Sequence, residues 1–302
     1  MKTLTFKKNA CHLVDTSAPA PERGQVLLRL RGTLLDETHL ADYRSGTLQA
    51  PYLVCGVILQ PGAGVIDFRA GQAVVTVVSQ PLSQYLVVGQ DSIYPVEHAQ
   101  GASCMLMGIA LANRAVSHAE RYPESTVIGG AGFVGLTLSA LLTTTTPWFF
   151  GTSDQALMCA RDLGAAHYKE WSQVSEAMGR QESSDPGYGA TMLETTGRLE
   201  ERQLSGFLTL KGGTVICVTP PGPGSETLLV DAYRLHYDQI TWVSLGPCSQ
   251  EEVTRAGTML DRIPDTLITD QLPFDRIEYA FQELDAERAI CFLLTDNTET
   301  HL

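Results

Sequence analysis

The stretch Ser125–Leu142, STVIGGAGFVGLTLSALL, decides the fold, because its glycine-rich turn follows a short apolar strand and opens a helix. Gly130, Gly132 and Gly135 have the spacing G-x-G-x-x-G. In this context the first glycine permits a tight turn, the second lets the backbone approach a pyrophosphate, and the third lets the helix lie close to the strand. The N–H groups at the start of the helix then bind the phosphates. The alternative is a tight turn that holds no ligand.

The turn therefore predicts a dinucleotide site. The residues expected to contact the pyrophosphate form one continuous segment: Gly130, Ala131, Gly132, Phe133, Val134 and Gly135. Thr195, in the strand ATMLETTG, and Val218, in the strand GGTVICVTP, are further candidates for contact with the cofactor.

The choice between NADP and NAD depends on the end of the next strand, about twenty residues after the turn, where NAD sites carry an acidic residue. This position reads WFFGTSDQ, with Gly151 in place of the carboxylate and Thr152 and Ser153 behind it. A glycine with neighbouring hydroxyls leaves room for a 2′-phosphate, so the sequence favours NADP, with NAD as the alternative. Asp154 opposes this preference, and no arginine or lysine supports it. The missing acid also disfavours a methyltransferase.

The chain has two regions with different patterns of predicted secondary structure. Short valine-rich segments bounded by Gly, Pro and Gln fill the first hundred residues and predict strands of a small barrel or sandwich. From Thr126 onward strands and helices alternate, which is typical of a parallel sheet with crossover helices. The fold class predicted is therefore α/β.

Composition excludes several classes of partner. The 302 residues have a formal net charge of −13, which opposes binding to nucleic acids and to anionic lipid surfaces. No apolar run approaches the ~18 residues that a membrane span requires, and the N-terminal segment lacks the pattern of a signal peptide. We therefore expect a cytoplasmic protein that binds a small-molecule substrate.

The seven cysteines do not have the spacing of a metal site. They are far apart and include no C-x-x-C pair, whereas metal sites need closely spaced Cys or His ligands. We expect reduced thiols, most of them buried.

The whole chain resembles the medium-chain dehydrogenase/reductase superfamily, the group of zinc alcohol dehydrogenases and quinone reductases. The most specific pieces are the nucleotide turn TVIGGAGFVG and the helix end ARDLGA. Further matches are VLLRLRGTLLDETHLADYRSG, GVILQPGAGVIDFRAGQAVV, SQYLVV, LKGGTVICV and FDRIEYAFQEL. The resemblance implies a GroES-like β-barrel domain, residues 1–112 and 248–302, and a doubly wound Rossmann domain, residues 113–247.

The resemblance fails at the zinc ligands, which implies a zinc-independent member without a metal site. Asp36 occupies the position of the family's first ligand, a cysteine, and the segment PYLVCGVI lacks the Gly-His-Glu that carries the second. Met107 lies nearest to the third ligand position, and the four-cysteine structural lobe is absent. One carboxylate and one methionine do not suit zinc.

Without zinc, a substrate carbonyl must be polarised by hydrogen-bond donors, or the substrate must already be activated, as enones and quinones are. Each candidate catalytic residue also has a structural interpretation. Thr38 aligns with the family's proton-relay hydroxyl but can serve in helix capping, and Asp36 is a general base or an N-cap. His39 is a proton donor or a packed residue. Tyr43 is a donor near the loop, and Tyr52 faces the substrate or belongs to the core.

The sequence thus predicts an NAD(P)H-dependent oxidoreductase, with NADPH favoured, that reduces a C=C or C=O bond of a small organic substrate. The alternative is a catalytically inactive nucleotide-binding or assembly protein that retains the dehydrogenase fold. By the resemblance, the apolar segment QITWVSL falls at the position of the family's outermost Rossmann strand, where an open edge predicts a homodimer. The alternative is an edge that the C-terminal segment of the same chain covers.

Overall fold

The protein forms two compact units. A computed structural model describes residues 1–48, 50–121, 126–143, 146–165, 167–173, 189–225 and 227–296. Within those residues, the first unit takes its members from Met1–Gly108, Ser249–Thr258 and Ile268–Leu302, and the second from Ile109–Cys248 and Met259–Leu267.

The strands are β1 (Lys2–Lys7), β2 (Ala10–Asp15), β3 (Gln25–Asp36), β4 (Tyr52–Pro61), β5 (Ala73–Val78), β6 (Tyr85–Gly89), β7 (Ile93–Pro95), β8 (Thr126–Gly129), β9 (Trp148–Gly151), β10 (His167–Glu170), β11 (Gly189–Glu194), β12 (Thr209–Cys217), β13 (Thr241–Ser244), β14 (Asp270–Pro273) and β15 (Cys291–Thr295). The α-helices are α1 (Leu40–Ser45), α2 (Met105–Ala119), α3 (Phe133–Leu141), α4 (Asp154–Asp162), α5 (Leu199–Leu208), α6 (Ala232–His236), α7 (Gln250–Gly257) and α8 (Ile277–Asp285). None of them, within the residues just given, combines the length and apolar character needed to cross a membrane.

The first unit is built on the long strand β3. It pairs with β4 along one edge, and with β6 and then β15 along the other, all antiparallel. Val26, Leu28 and Leu30 alternate with less buried neighbours, so they project into the core that also holds Phe281 of α8. The strands β1 and β2 form a separate hairpin.

The second unit is a parallel sheet of six strands in the order β10-β9-β8-β11-β12-β13. This is the strand order of a doubly wound Rossmann fold, in which the first strand, here β8, lies in the middle of the sheet. The predicted α/β class with a Rossmann sheet is therefore confirmed.

Two features of the parallel sheet do not follow from local sequence patterns. The helix α5, within the segment RLEERQLSGFLTL, ends at Leu208, because the β-branched Thr209 begins β12 and pairs with Gly189 of β11. The strand β10, HYKE, was not predicted, since its polar and largely exposed residues carry no apolar signal. Its pairing with β9 supplies the missing stabilisation.

Candidate functional site

The glycine turn after β8 is possible only with glycine at two positions. Gly130 has φ +115°, and a Cβ there would lie 2.5 Å from Cγ2 of Thr196 and 2.7 Å from Oγ1 of Thr195. A Cβ on Gly135 would lie 1.9 Å from the carbonyl oxygen of Gly130. The turn therefore needs a left-handed residue without a side chain, followed by close approach of α3 to the turn.

The start of α3 suits an anion. Gly132 is the N-cap residue and, as a glycine, has no side chain with which to cap the helix. Backbone N–H groups and the helix dipole favour negative charge at such an end. The residues predicted to contact a pyrophosphate, from Gly130 to Gly135, all lie in this turn and first helical turn, and all are buried. The backbone conformation of the turn suits a pyrophosphate.

The turn lies where the strand order of the sheet reverses. β8 pairs with β9 on one side and with β11 on the other. After β8 the chain first forms β9 and β10 on one side, and only then forms β11 on the other. In doubly wound sheets, ligands bind outside the carboxyl ends of the strands at this switch point. The loops after β8 and β11 are therefore the natural place for a dinucleotide.

The two further cofactor candidates lie at the same edge of the sheet but make contacts within the chain. Oγ1 of Thr195 donates to the carbonyl oxygens of Gly129 at 2.9 Å and Gly130 at 3.1 Å. The N–H of Val218 donates to the carbonyl oxygen of Glu194 at 2.8 Å. Thr195 thus touches the glycine turn itself.

At the predicted ribose position, Gly151 is the last residue of β9 and is buried. Ser153 is the N-cap of α4 and accepts from the N–H of Ala156 at 3.4 Å, while Thr152 is half-buried between them. Glu170 of β10 lies in register with Gly151, so a carboxylate stands on the neighbouring strand. The Ser172 hydroxyl donates to that carboxylate at 2.7 Å.

Asp36, Thr38 and His39 form one connected group in the first unit. Asp36 is an N-cap: its Oδ1 accepts from the N–H of Thr38 at 2.9 Å and from the Thr38 hydroxyl at 2.6 Å. Nδ1 of His39 lies 3.1 Å from the same oxygen, and Nε2 lies 3.3 Å from the carbonyl oxygen of Pro51. Thr38 is half-buried, whereas Asp36 and His39 are buried.

The surroundings of His39 favour its charged form. Burial by itself lowers the pKa of His39, but the hydrogen bond and charge of Asp36, the charge of Asp42 and the Pro51 carbonyl together raise it above its usual value. Nδ1 faces both the Asp36 carboxylate and the Asp36 N–H, which lies 3.2 Å away, whereas Nε2 faces the Pro51 carbonyl oxygen. The charged form donates to the two oxygens, and the neutral form can instead accept from the N–H.

The two tyrosines are core residues. Tyr43 stacks on Phe281, with ring centroids 5.1 Å apart. Tyr52 is fully buried and stacks on His39 at 4.5 Å, and its hydroxyl has no hydrogen-bond partner in the described chain. Burial raises the pKa of both hydroxyls. Neither tyrosine faces solvent.

The positions aligned with zinc ligands have other contacts. Asp36 caps the turn that follows β3, and Met107 is buried in α2. Within the described ranges, no three His, Cys, Asp or Glu side chains group together as metal ligands. The seven cysteines form no disulfide, and five of them are buried, which confirms the expectation of buried thiols.

Sequence reasoning missed a buried ion pair behind the glycine turn. Nε of Arg202 in α5 donates to Oε2 of Glu194 at 2.8 Å, and the Glu194 side chain is fully buried at the end of β11. An acidic residue that ends an apolar strand and precedes Thr-Thr-Gly-Arg was the available signal.

Solved structures that share this fold include several dehydrogenases. An alcohol dehydrogenase from Thermus sp. ATN1 aligns over 98% of this chain and 100% of its own, with 16% identity and a TM-score of 0.62. A protein named as a zinc-binding dehydrogenase from Sinorhizobium meliloti 1021, bound to NADP, aligns over 98% and 99%, with 15% identity and a TM-score of 0.58. A protein named as a short chain alcohol dehydrogenase from Escherichia coli CFT073, in complex with NADH, aligns over 97% of this chain and 98% of its own, with 17% identity and a TM-score of 0.61. No protein-family model and no curated protein matches the sequence.

The chain therefore shares its fold with these dehydrogenases, in agreement with the α/β class and Rossmann sheet predicted from the sequence. The alignments extend over nearly the full length of both chains and include the Rossmann sheet and the separate, largely antiparallel sheet. At 15% to 17% identity the likeness concerns the fold, and function must be argued from the site.

Proposed function

We propose that this protein is a zinc-independent oxidoreductase that uses a nicotinamide dinucleotide to reduce a C=C or C=O bond of a small organic substrate. The observation that carries the proposal is the glycine turn at the switch point of the sheet. There, Gly130 and Gly135 leave no room for a side chain, and the N-cap residue of α3 is Gly132, which has none. These are the features that a pyrophosphate requires.

NADPH is the proposed cofactor, with NADH as the alternative. Support comes from Gly151, because a carboxylate at this position would repel a 2′-phosphate, and from the neighbouring Thr152 and Ser153. Glu170 acts against this preference, since its carboxylate is on the adjacent strand in register with Gly151. The proposal is that the space at Gly151 outweighs the charge of Glu170.

A bound nicotinamide would supply the hydride, and the protein would position the substrate and provide a proton. Thr38 is the catalytic candidate that is half-buried, and its hydroxyl is hydrogen-bonded to Asp36. We propose that Thr38 contacts the substrate, and that Asp36 and His39 hold the Thr38 side chain in place. At the aligned ligand positions, the one carboxylate of Asp36 and the thioether of Met107 do not make up a zinc ligand set, which supports zinc-independent chemistry.

A catalytically inactive nucleotide-binding protein is the second candidate. It is favoured by the burial of Asp36, His39, Tyr43 and Tyr52, whose contacts lie within the chain. Four of the five catalytic candidates are therefore out of reach of a substrate unless the chain rearranges.

We also propose that the protein is a homodimer. The strand β13 ends the parallel sheet, so one of its edges lacks a strand partner in the described chain. A cavity of about 260 Å³ is lined by Trp242 of this strand and by exposed apolar side chains that include Phe207, Leu229 and Leu235. An open strand edge beside an apolar surface favours pairing with a second copy.

Nucleotide-dependent thermal shift, followed by turnover assays, tests the proposal. We expect NADPH to raise the melting temperature and to be consumed with one or more members of a panel of quinones and enones. Binding without turnover on any substrate would favour the inactive alternative. No stabilisation by NADPH or NADH would contradict both.

A further inference from the structure

The loop after β11 is attached to the glycine turn by a side chain. Thr195, nearly fully buried, donates from Oγ1 to the carbonyl oxygens of Gly129 and Gly130, and its N–H donates to Gly129 at 2.9 Å. Its Oγ1 also lies 2.9 Å from where a Cβ on Gly135 would be. One hydroxyl thus contacts both ends of the turn that would hold a pyrophosphate.

The loop that carries Thr195 is itself fixed by Glu194. One carboxylate oxygen of Glu194 accepts from the N–H of Thr196 at 2.6 Å, from the Thr196 hydroxyl at 2.6 Å and from the N–H of Gly197 at 2.8 Å. The other oxygen pairs with Arg202 at 2.8 Å. A carboxylate that accepts this many bonds in the interior holds the loop in one conformation.

A third loop joins the same network. The Thr219 hydroxyl, after β12, donates to the carbonyl oxygen of Thr195 at 2.6 Å, and Arg202 donates to the carbonyl oxygen of Thr219. The loops that follow β8, β11 and β12 are therefore connected by buried hydrogen bonds at the carboxyl edge of the sheet.

We infer that Thr195 is a positioning residue, which holds the glycine turn in its phosphate-binding shape, and that Glu194 and Arg202 hold Thr195 in place. The inference rests on the proposed nucleotide-binding function and assigns these residues a role behind the site. If only a fraction of the molecules have the turn in its binding-competent shape, the apparent affinity for the ligand is reduced by that fraction. Loss of the Thr195 hydroxyl should therefore weaken nucleotide binding without removing any contact to the nucleotide.

The test compares Thr195→Val, Thr195→Ser and Thr191→Val. Valine has the shape of threonine but lacks the hydroxyl, whereas serine keeps it. Thr191 is a matched control on β11, the strand that precedes Thr195, because it is also buried and its hydroxyl has no hydrogen-bond partner in the described chain. The dissociation constants of NADPH and NADH are measured by calorimetry for each variant, and the melting temperature without nucleotide is recorded.

We expect Thr195→Val to weaken binding of the nucleotide by roughly fivefold or more, since one neutral hydrogen bond corresponds to about this factor. Thr195→Ser should restore most of the affinity, and Thr191→Val should bind as the wild type does. Equal affinity of Thr195→Val and wild type would overturn the inference. So would equal weakening in Thr191→Val, because the loss would then reflect general destabilisation.

If the proposed function is wrong, the wild type will bind neither NADPH nor NADH, which is different from the outcomes above. In that case the melting temperatures still test the network. We expect Thr195→Val to melt below Thr191→Val, because only Thr195 makes hydrogen bonds to the turn. Equal melting temperatures would contradict the role assigned to Thr195 even in a protein that binds no nucleotide.

Discussion

Replacing Gly151 with aspartate should change the nucleotide preference. Two unit charges about 5 Å apart repel by roughly 1 kcal/mol in water and roughly 3 kcal/mol at a partly buried site. Gly151 is buried at the end of β9, so the larger value applies best to an aspartate there. The affinity for NADPH should fall by roughly tenfold or more, at about 1.4 kcal/mol for each factor of ten.

The affinity for NADH should hold or improve, because an aspartate at this position accepts from the ribose hydroxyls. The new carboxylate would also lie beside Glu170, on a strand about 4.8 Å away. We therefore expect a melting temperature a few degrees lower, as about 1 kcal/mol produces in a domain of this size.

Calorimetric titration of both nucleotides into wild type, Gly151→Asp and Gly151→Asn measures the effect. Asparagine has the size of aspartate without its charge, so it separates repulsion from loss of space. Gly151→Asn should lose less NADPH affinity than Gly151→Asp. If the wild type binds NADH more tightly than NADPH, then Glu170 dominates the site and the reasoning from Gly151 is wrong.

Three further predictions concern helix packing, pH and assembly. Gly135→Ala should destabilise the protein by roughly 1–3 kcal/mol and weaken stabilisation by nucleotide, because its Cβ would lie 1.9 Å from a backbone oxygen. Gly257→Ala, where a Cβ meets nothing within 4 Å, is the control, and equal denaturation midpoints would refute the packing argument. Because the pKa of His39 is raised in the folded protein, protonation of His39 stabilises the fold. This contribution is complete below the pKa of the unfolded chain, about 6.5, and is lost as the pH rises through the pKa of the folded protein. The free energy of unfolding, measured with denaturant from pH 6 to pH 9, should therefore fall more steeply for wild type than for Asp36→Asn. Asparagine keeps the cap but removes the charge, and parallel curves for the two proteins would contradict this reasoning. Light scattering at micromolar concentration should give a dimer, and Leu229→Glu, at a side chain that is 75% exposed, should shift it toward the monomer; a wild-type monomer rules out the dimer.

The sequence determined the features that depend on neighbouring residues. A strand, a glycine turn and a helix follow one another within Ser125–Leu142, and the periodicity of each is visible in the sequence. Gly130 does adopt a left-handed conformation, φ +115°, which a glycine at that position permits. The alternation of strands and helices then implied a parallel sheet.

Only the tertiary structure decided which partners the polar residues have. Thr195 was a candidate for contact with the cofactor, yet its hydroxyl bonds to Gly129, which lies 66 residues earlier in the chain. His39 and Tyr52 were candidate donors, and burial in the core of the first unit stacks them on each other. Burial and hydrogen-bond partners arise from segments that are distant in sequence, so local patterns name the residue types for a site but cannot tell which of them face a ligand.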